Sequence, residues 1–156
     1  MKMTHQILAP VLAVTVVVGT ASSADDPITG LEEAMVHVDA AAKAWDKITG
    51  TPFPDGLERK RLHANKATGG GAGILKFPEG YIEPRHYHTT AGHSVYILKG
   101  SLKIGGETYG PGNFFYAPKN VAHGPNEALE ETEILIWSDG PLDLHMGDLP
   151  PAGDGQ

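Results

Sequence analysis

"PRHYHTTAGHSVYILKG", residues 84–100, places His86, His88 and His93 within eight residues and runs directly into a strongly β-forming segment. Consecutive side chains of a strand point to opposite faces, so His86 and His88 share a face with Tyr87 on the reverse. "TTAG" supplies a turn in which Gly92 is free to take a positive φ. His93 then opens the returning strand, where it can swing back beside the first pair. A fourth histidine, His123, follows the turn signal "APKN". Four imidazoles facing one point describe a nitrogen-rich transition-metal site. The isolated His37, His63 and His145 read as ordinary hydrogen-bonded side chains.

Outward from this stretch, short β-like runs recur at intervals near ten residues, separated by glycine and proline. They are "LERKRLH" (57–63), "GILKF" (73–77), "IEPRHYH" (82–88), "SVYILKG" (94–100), "SLKI" (101–104), "ETYG" (107–110), "NFFYA" (113–117), "VAHGP" (121–125) and "TEILIWS" (132–138). Gly105-Gly106 is a two-residue hairpin turn. Many short strands with regular turn signals predict an all-β sandwich or closed barrel. Ahead of them, Leu31, Met35, Val38, Ala42 and Trp45 recur at steps of three and four, and Thr29 with Glu32 would make a capping box. Both features favour an amphipathic helix, although "MVHVD" alternates like a strand. The tail, 141–156, is expected to lie along the surface or fray.

The first 24 of 156 residues have a different composition. One lysine precedes the apolar run "ILAPVLAVTVVVG", and "TASSA" precedes "DDP". This is the layout of a secretory signal peptide cleaved after Ala24, which takes His5 with it. At about 13 residues the apolar run is short of the ~20 that span a bilayer. The expected organisation is a signal peptide (1–24), an N-terminal extension (25–56), a β-barrel (57–140) and a tail (141–156). The mature chain is expected to be exported, to the periplasm or beyond, with no membrane segment after processing. Losing Lys2 takes the formal charge from −7 to −8, which is poorly suited to nucleic acid or anionic lipid. With no cysteine, disulfides, thiolate ligands and a cysteine lipid anchor are excluded.

The histidine stretch resembles the cupin superfamily, whose two motifs are G-x5-H-x-H-x4-E-x6-G and G-x5-P-x-G-x2-H. Gly80, His86, His88, His93 and Gly100 reproduce the first spacing, with histidine in the glutamate position. Gly112, Pro118, Asn120 and His123 reproduce the second, with Asn120 in place of a glycine. Asparagine also accepts left-handed backbone angles. The resemblance covers about Leu57–Ser138. It implies a cupin-type double-stranded β-helix (a jelly-roll barrel) with a metal inside, often in a homodimer. The layout is most similar to the dioxygenases that cleave β-diketones and hydroxyacetophenones, and to the cupin domains of anti-sigma factors.

With the glutamate gone, four neutral imidazoles leave a divalent metal at +2 instead of +1. That makes it a stronger Lewis acid and a better attractor of anions. His86, His88, His93 and His123 are the candidate metal ligands, with His93 either a ligand or a partner of one. Iron ranks first as the metal, then manganese; zinc, nickel and copper also suit histidine. Val95 and Ile97 share the face of His93, and Phe114 pairs with Tyr116 on another strand. Tyr81, Arg85, Tyr96 and Tyr116 are candidate catalytic donors, with ordinary packing as their alternative role.

Three functions follow. The first is a dioxygenase acting on a small enolisable dicarbonyl or hydroxyketone chelated to the metal. The second is a non-redox metal-dependent lyase or isomerase, and the third a metal- or ligand-binding module without turnover. Gly69-Gly70-Gly71 lacks the following lysine and serine or threonine of a phosphate-binding loop.

Overall fold

A computed structural model of the chain describes residues 35–150. The expected signal peptide and the Thr29/Glu32 capping box lie outside the described residues. Those described form strands and no helix: β1 (Asp46–Lys47), β2 (Glu58–Ala64), β3 (Gly71–Phe77), β4 (Ile82–Glu83), β5 (His86–Tyr87), β6 (His93–Lys99), β7 (Leu102–Ile104), β8 (Glu107–Tyr109), β9 (Phe114–Ala117), β10 (Asn126–Ala128), β11 (Thr132–Ser138) and β12 (His145–Met146). All pairings are antiparallel. The six-stranded sheet runs β1-β2-β3-β11-β6-β9, the four-stranded sheet β4-β10-β7-β8, and β12 pairs with β5 alone.

Alternation along β6 decides which side is inside. His93 and Ile97 are buried, whereas Tyr96 and Leu98 are exposed. Register carries the same face across the sheet, through Ile134↔Ile97 and Ile136↔Val95, then Leu75↔Ile134 and Gly73↔Ile136. Leu102 and Ala128 come from the four-stranded sheet and join Phe77, Ile97 and Ile134 in one buried cluster. The core therefore lies between the two sheets. Thr132, fully buried, is tolerated there because its hydroxyl accepts from Ser101 N–H at 3.1 Å and donates to a nearby carbonyl.

Two turns fix the loops that frame the site. Gly105 and Gly106 take φ of 60° and 94° and close the β7–β8 hairpin at Ile104↔Glu107, as a turn of the primed type requires. Asn120 sits at φ 60°, the one non-glycine residue in the left-handed region among those described. It fills the motif's glycine position with the residue type that best tolerates it.

Four segments depart from the sequence reading. No helix forms at Met35–Trp45. Instead the Asp39 carboxylate accepts from the backbone N–H of Ala41 and Ala42 at 3.0 and 3.3 Å, a local turn that competes with helix. Trp45 packs beneath the Lys60 and Lys76 ammonium groups, 4.6 and 4.5 Å from its ring centre. The run 82–88 splits into β4 and β5, because Pro84 has no N–H to donate to a ladder. At 121–125 only the bridge His86↔His123 forms, and the strand begins at Asn126. The tail pairs as β12, with His145↔Tyr87 and Met146↔His86.

Candidate metal centre

The two histidine motifs are joined by backbone. His86 N–H donates to His123 C=O at 3.0 Å, His123 N–H returns the bond at 2.9 Å, and Asn120 N–H donates to His88 C=O at 2.7 Å. This pairing brings the imidazoles of residues 86 and 123 to a ring separation of 4.2 Å. His88 follows at 5.2 Å from His86. One nitrogen from each of His86, His88 and His123 lies within 4.8 Å of the other two, a group that could hold a metal ion. His93 adjoins them, its ring 4.9 Å from His88 and 5.1 Å from His123. His86, His88 and His93 are all buried, between 3% and 6% exposed.

Hydrogen bonds fix which nitrogen of each ring faces inward. His86 Nδ1 lies 2.8 Å from Pro84 C=O, His123 Nδ1 lies 3.0 Å from Val121 C=O, and His88 Nδ1 contacts Asp143 C=O. A carbonyl can only accept, so each Nδ1 carries the hydrogen and each Nε2 keeps a free lone pair. That is the outer-shell arrangement metal-ligating histidines use. His123 Nε2 is buried with no hydrogen-bond partner, a cost that a bound cation removes. The donor set thus fits a divalent transition metal. His93 differs: its Nδ1 is buried without a partner, and among the described residues no carbonyl orients its ring.

Protonation favours the same use. Burial, the largest cause, lowers the pKa of His86 and His123, and pushes that of His93 down to about 3, with the neighbouring histidines adding to the His93 shift. Neutral imidazole is the ligating form.

His93 and His123 line a cavity of about 210 Å³, walled by Val95, Phe115, Ile134 and Ile136. The same cavity holds Glu83, a carboxylate that sequence reasoning missed. Asn126 Nδ2–H donates to Glu83 Oε2 at 2.7 Å, and burial raises the Glu83 pKa despite that bond and the nearby His123 and His88. The Asn126 amide oxygen is itself buried without a partner. The carboxylate absent at position 93 therefore reappears on the wall, supplied by β4.

Of the four candidate donors, the structure brings Tyr116 alone to the cavity lining. Tyr81 is buried in the core, packed edge-on against Phe77 and donating to Pro54 C=O at 2.9 Å; burial pushes its pKa up to about 12. Arg85 pairs with Asp148 and donates to Gly124 C=O at 3.0 Å. Tyr96 is exposed with Phe114 on the outward face. Tyr116 is 61% exposed and also lines the cavity. A second missed residue is Asp143. Its carboxylate accepts from the backbone N–H of Thr89 and Thr90 at 2.9 and 3.0 Å and from both threonine hydroxyls, bonds that hold its pKa well below the usual carboxylate range. Asp143 thereby docks the tail onto the loop after His88 while its own carbonyl orients the His88 ring.

The family profile of the ChrR cupin-like domain matches residues 33–143. The chain belongs to the ChrR cupin-like family. Solved structures share the fold. A protein assigned as an acetylacetone dioxygenase from Methylibium petroleiphilum PM1 is 21% identical, with a TM-score of 0.64 over 77% of this chain and 84% of its own. The acetylacetone dioxygenase of Acinetobacter johnsonii is 21% identical, with a TM-score of 0.62 over 79% and 85%. A polyketide cyclase from Streptomyces resistomycificus is 18% identical, with a TM-score of 0.60 over 76% and 89%. At these identities the likeness is one of fold. Among curated proteins no sequence matches this cupin.

Two predictions follow from this geometry. Replacing Asp143 with alanine undocks the tail and frees the His88 ring, so zinc affinity should fall about 10- to 100-fold, the usual cost of losing an outer-shell partner; competition with a chromophoric chelator measures it. The second concerns pH. Folded His93 stays neutral down to about 3, whereas the unfolded side chain takes up a proton near 6.5. Between those values the unfolded state binds more protons, so His93 makes the metal-free protein less stable as pH falls below about 6.5. Glu83, whose pKa burial raises on folding, works in the opposite sense. Urea unfolding at pH 7.5 and 5.5 should therefore show a smaller stability loss for His93→Gln than for the unmodified protein.

Proposed function

We propose that this cupin is an exported metal-dependent dioxygenase acting on a small enolisable dicarbonyl or hydroxyketone. The observation that carries the reading is Glu83, a carboxylate held by Asn126 on the wall of an apolar cavity that also contains His93 and His123. A carboxylate with a raised pKa is suited to take a proton from a carbon between two oxygenated carbons. Asn126 holds the carboxylate in place for that transfer. Val95, Phe115, Ile134 and Ile136 keep water from the carbon that loses the proton. A volume of about 210 Å³ lies below the ~300 Å³ at which drug-sized pockets begin, which supports a substrate of few heavy atoms.

His86, His88 and His123 hold the metal in this reading, with His93 as a fourth ligand or as a neutral wall beside them. A redox metal bound there, iron first and manganese next, supplies Lewis acidity toward the substrate oxygens and electrons for O₂. Residues 1–24 support export. Tyr96, Leu98, Phe114 and Tyr116, exposed on one outward face, support a homodimer formed through that face.

Glu83 also suits a non-redox lyase or isomerase, which needs a base and no oxygen. One experiment separates the two. Iron-loaded protein should consume O₂ with one or more members of a panel of 1,3-diketones and hydroxyketones, and Glu83→Gln should lower the rate about 10²- to 10⁴-fold, as expected for loss of a proton-transfer group. Turnover with zinc under argon, inhibited by the same substitution, would support the non-redox enzyme instead. Iron bound without consumption of any substrate would leave a binding module.

A further inference from the structure

A second cleft, of about 330 Å³, lies over β2, β3 and β11 and contains none of the metal-site histidines. It adjoins the metal cavity, the two sharing Leu75 and Ile136. Its charge comes from β2. Arg59 and Arg61 flank the buried Lys60, so both lie on the face that carries Leu57 into the core. Register sets Arg59 opposite Leu75 and Arg61 opposite Gly73. Gly71 and Gly73 place no side chain on that face, which leaves room beside the guanidinium groups. Lys60 and His63 also line the cleft, and among the described residues no carboxylate does.

The chain's other arginine, Arg85, has both a carboxylate and a carbonyl partner. Arg59 and Arg61 have no hydrogen bond or ion pair among the described residues, and Arg59 Nε is buried with none. In a chain of formal charge −7, carboxylates are plentiful, yet among the described residues none lines this cleft. A buried guanidinium N–H without an acceptor is costly unless a ligand supplies one. Guanidinium forks match planar carboxylates in two parallel hydrogen bonds. Leu75, Ile136 and Leu142 form an apolar wall within reach of the same cleft.

We infer that this cleft is a second binding site, independent of the metal, for a small organic carboxylate whose apolar body packs on Leu75, Ile136 and Leu142 while Arg59 and Arg61 hold its charged end. The probes are sodium benzoate and inorganic phosphate, titrated into the full-length metal-free protein and followed by the backbone amide shifts of Gly71 and Gly73. Benzoate should shift both amides saturably and at lower concentration than phosphate. Arg59→Gln and Arg61→Gln should each weaken benzoate binding at least tenfold. Arg61 is exposed, so its variant tests the site even if Arg59→Gln fails to fold. His86→Ala should bind benzoate unchanged, which separates this site from the metal reading. The inference is overturned by an absence of saturable shifts, by benzoate binding that survives the Arg61 substitution undiminished, or by phosphate binding as tightly as benzoate.

Discussion

Three hydrogen bonds from imidazole Nδ1 to backbone carbonyls are the constraint on which the centre depends. Pro84 and Val121 each serve the histidine two residues on, so their geometry is set by local backbone. Asp143 serves His88 from 55 residues away, so that ring is correctly turned only when the tail is docked. Each bond commits one nitrogen and thereby aims the other. The bridge between His86 and His123 does the remaining work, since it fixes the separation of two ligands through main chain, which is stiffer than any side-chain contact. Burial then lowers the pKa of His86 and His123, favouring their neutral form. The group is organised without a metal, at the cost of a buried His123 Nε2 that a bound cation would satisfy.

The replacement of the motif's glutamate by His93 moves a charge without removing it from the neighbourhood. A carboxylate in the ligand set would neutralise part of the metal's charge and would be unavailable for proton transfer. Glu83, on the cavity wall and held by Asn126, would leave a divalent metal at the trio less compensated while offering a base nearby. In the function proposed above, both consequences would favour a substrate that binds as an anion after losing a proton. His93 contributes differently from the other three rings, because among the described residues no carbonyl orients it and its Nδ1 is buried alone.

Much of this was legible in the sequence because it is local. Spacing within 80–100 and 112–123 marked the four histidines, short β-like runs between glycine and proline marked β2, β3, β6 and β11, and Gly105-Gly106 marked the hairpin. What escaped depends on contacts that spacing does not encode. Asp143 matters through Thr89 and Thr90, more than fifty residues earlier, and nothing near it in the chain signals that role. Glu83 escaped because Pro84 interrupts the strand, so alternation counted back from His86 does not carry across it. The helix expected through Trp45 was lost to tertiary packing: its apolar steps are real, but Trp45 is taken by Lys60 and Lys76, and Asp39 turns the backbone before a helix can propagate. Tyr81 and Tyr96 looked like donors by residue type alone, and burial and strand parity assign them elsewhere.

The convergence of three Nε2 atoms on one cation is tested most directly by diffraction from crystals loaded with zinc, using the metal's anomalous signal. The account predicts a single strong peak about 2.0–2.1 Å from Nε2 of His86, His88 and His123 alike. A peak bonded through Nδ1 of any of these rings, or one lying away from the trio, would contradict it.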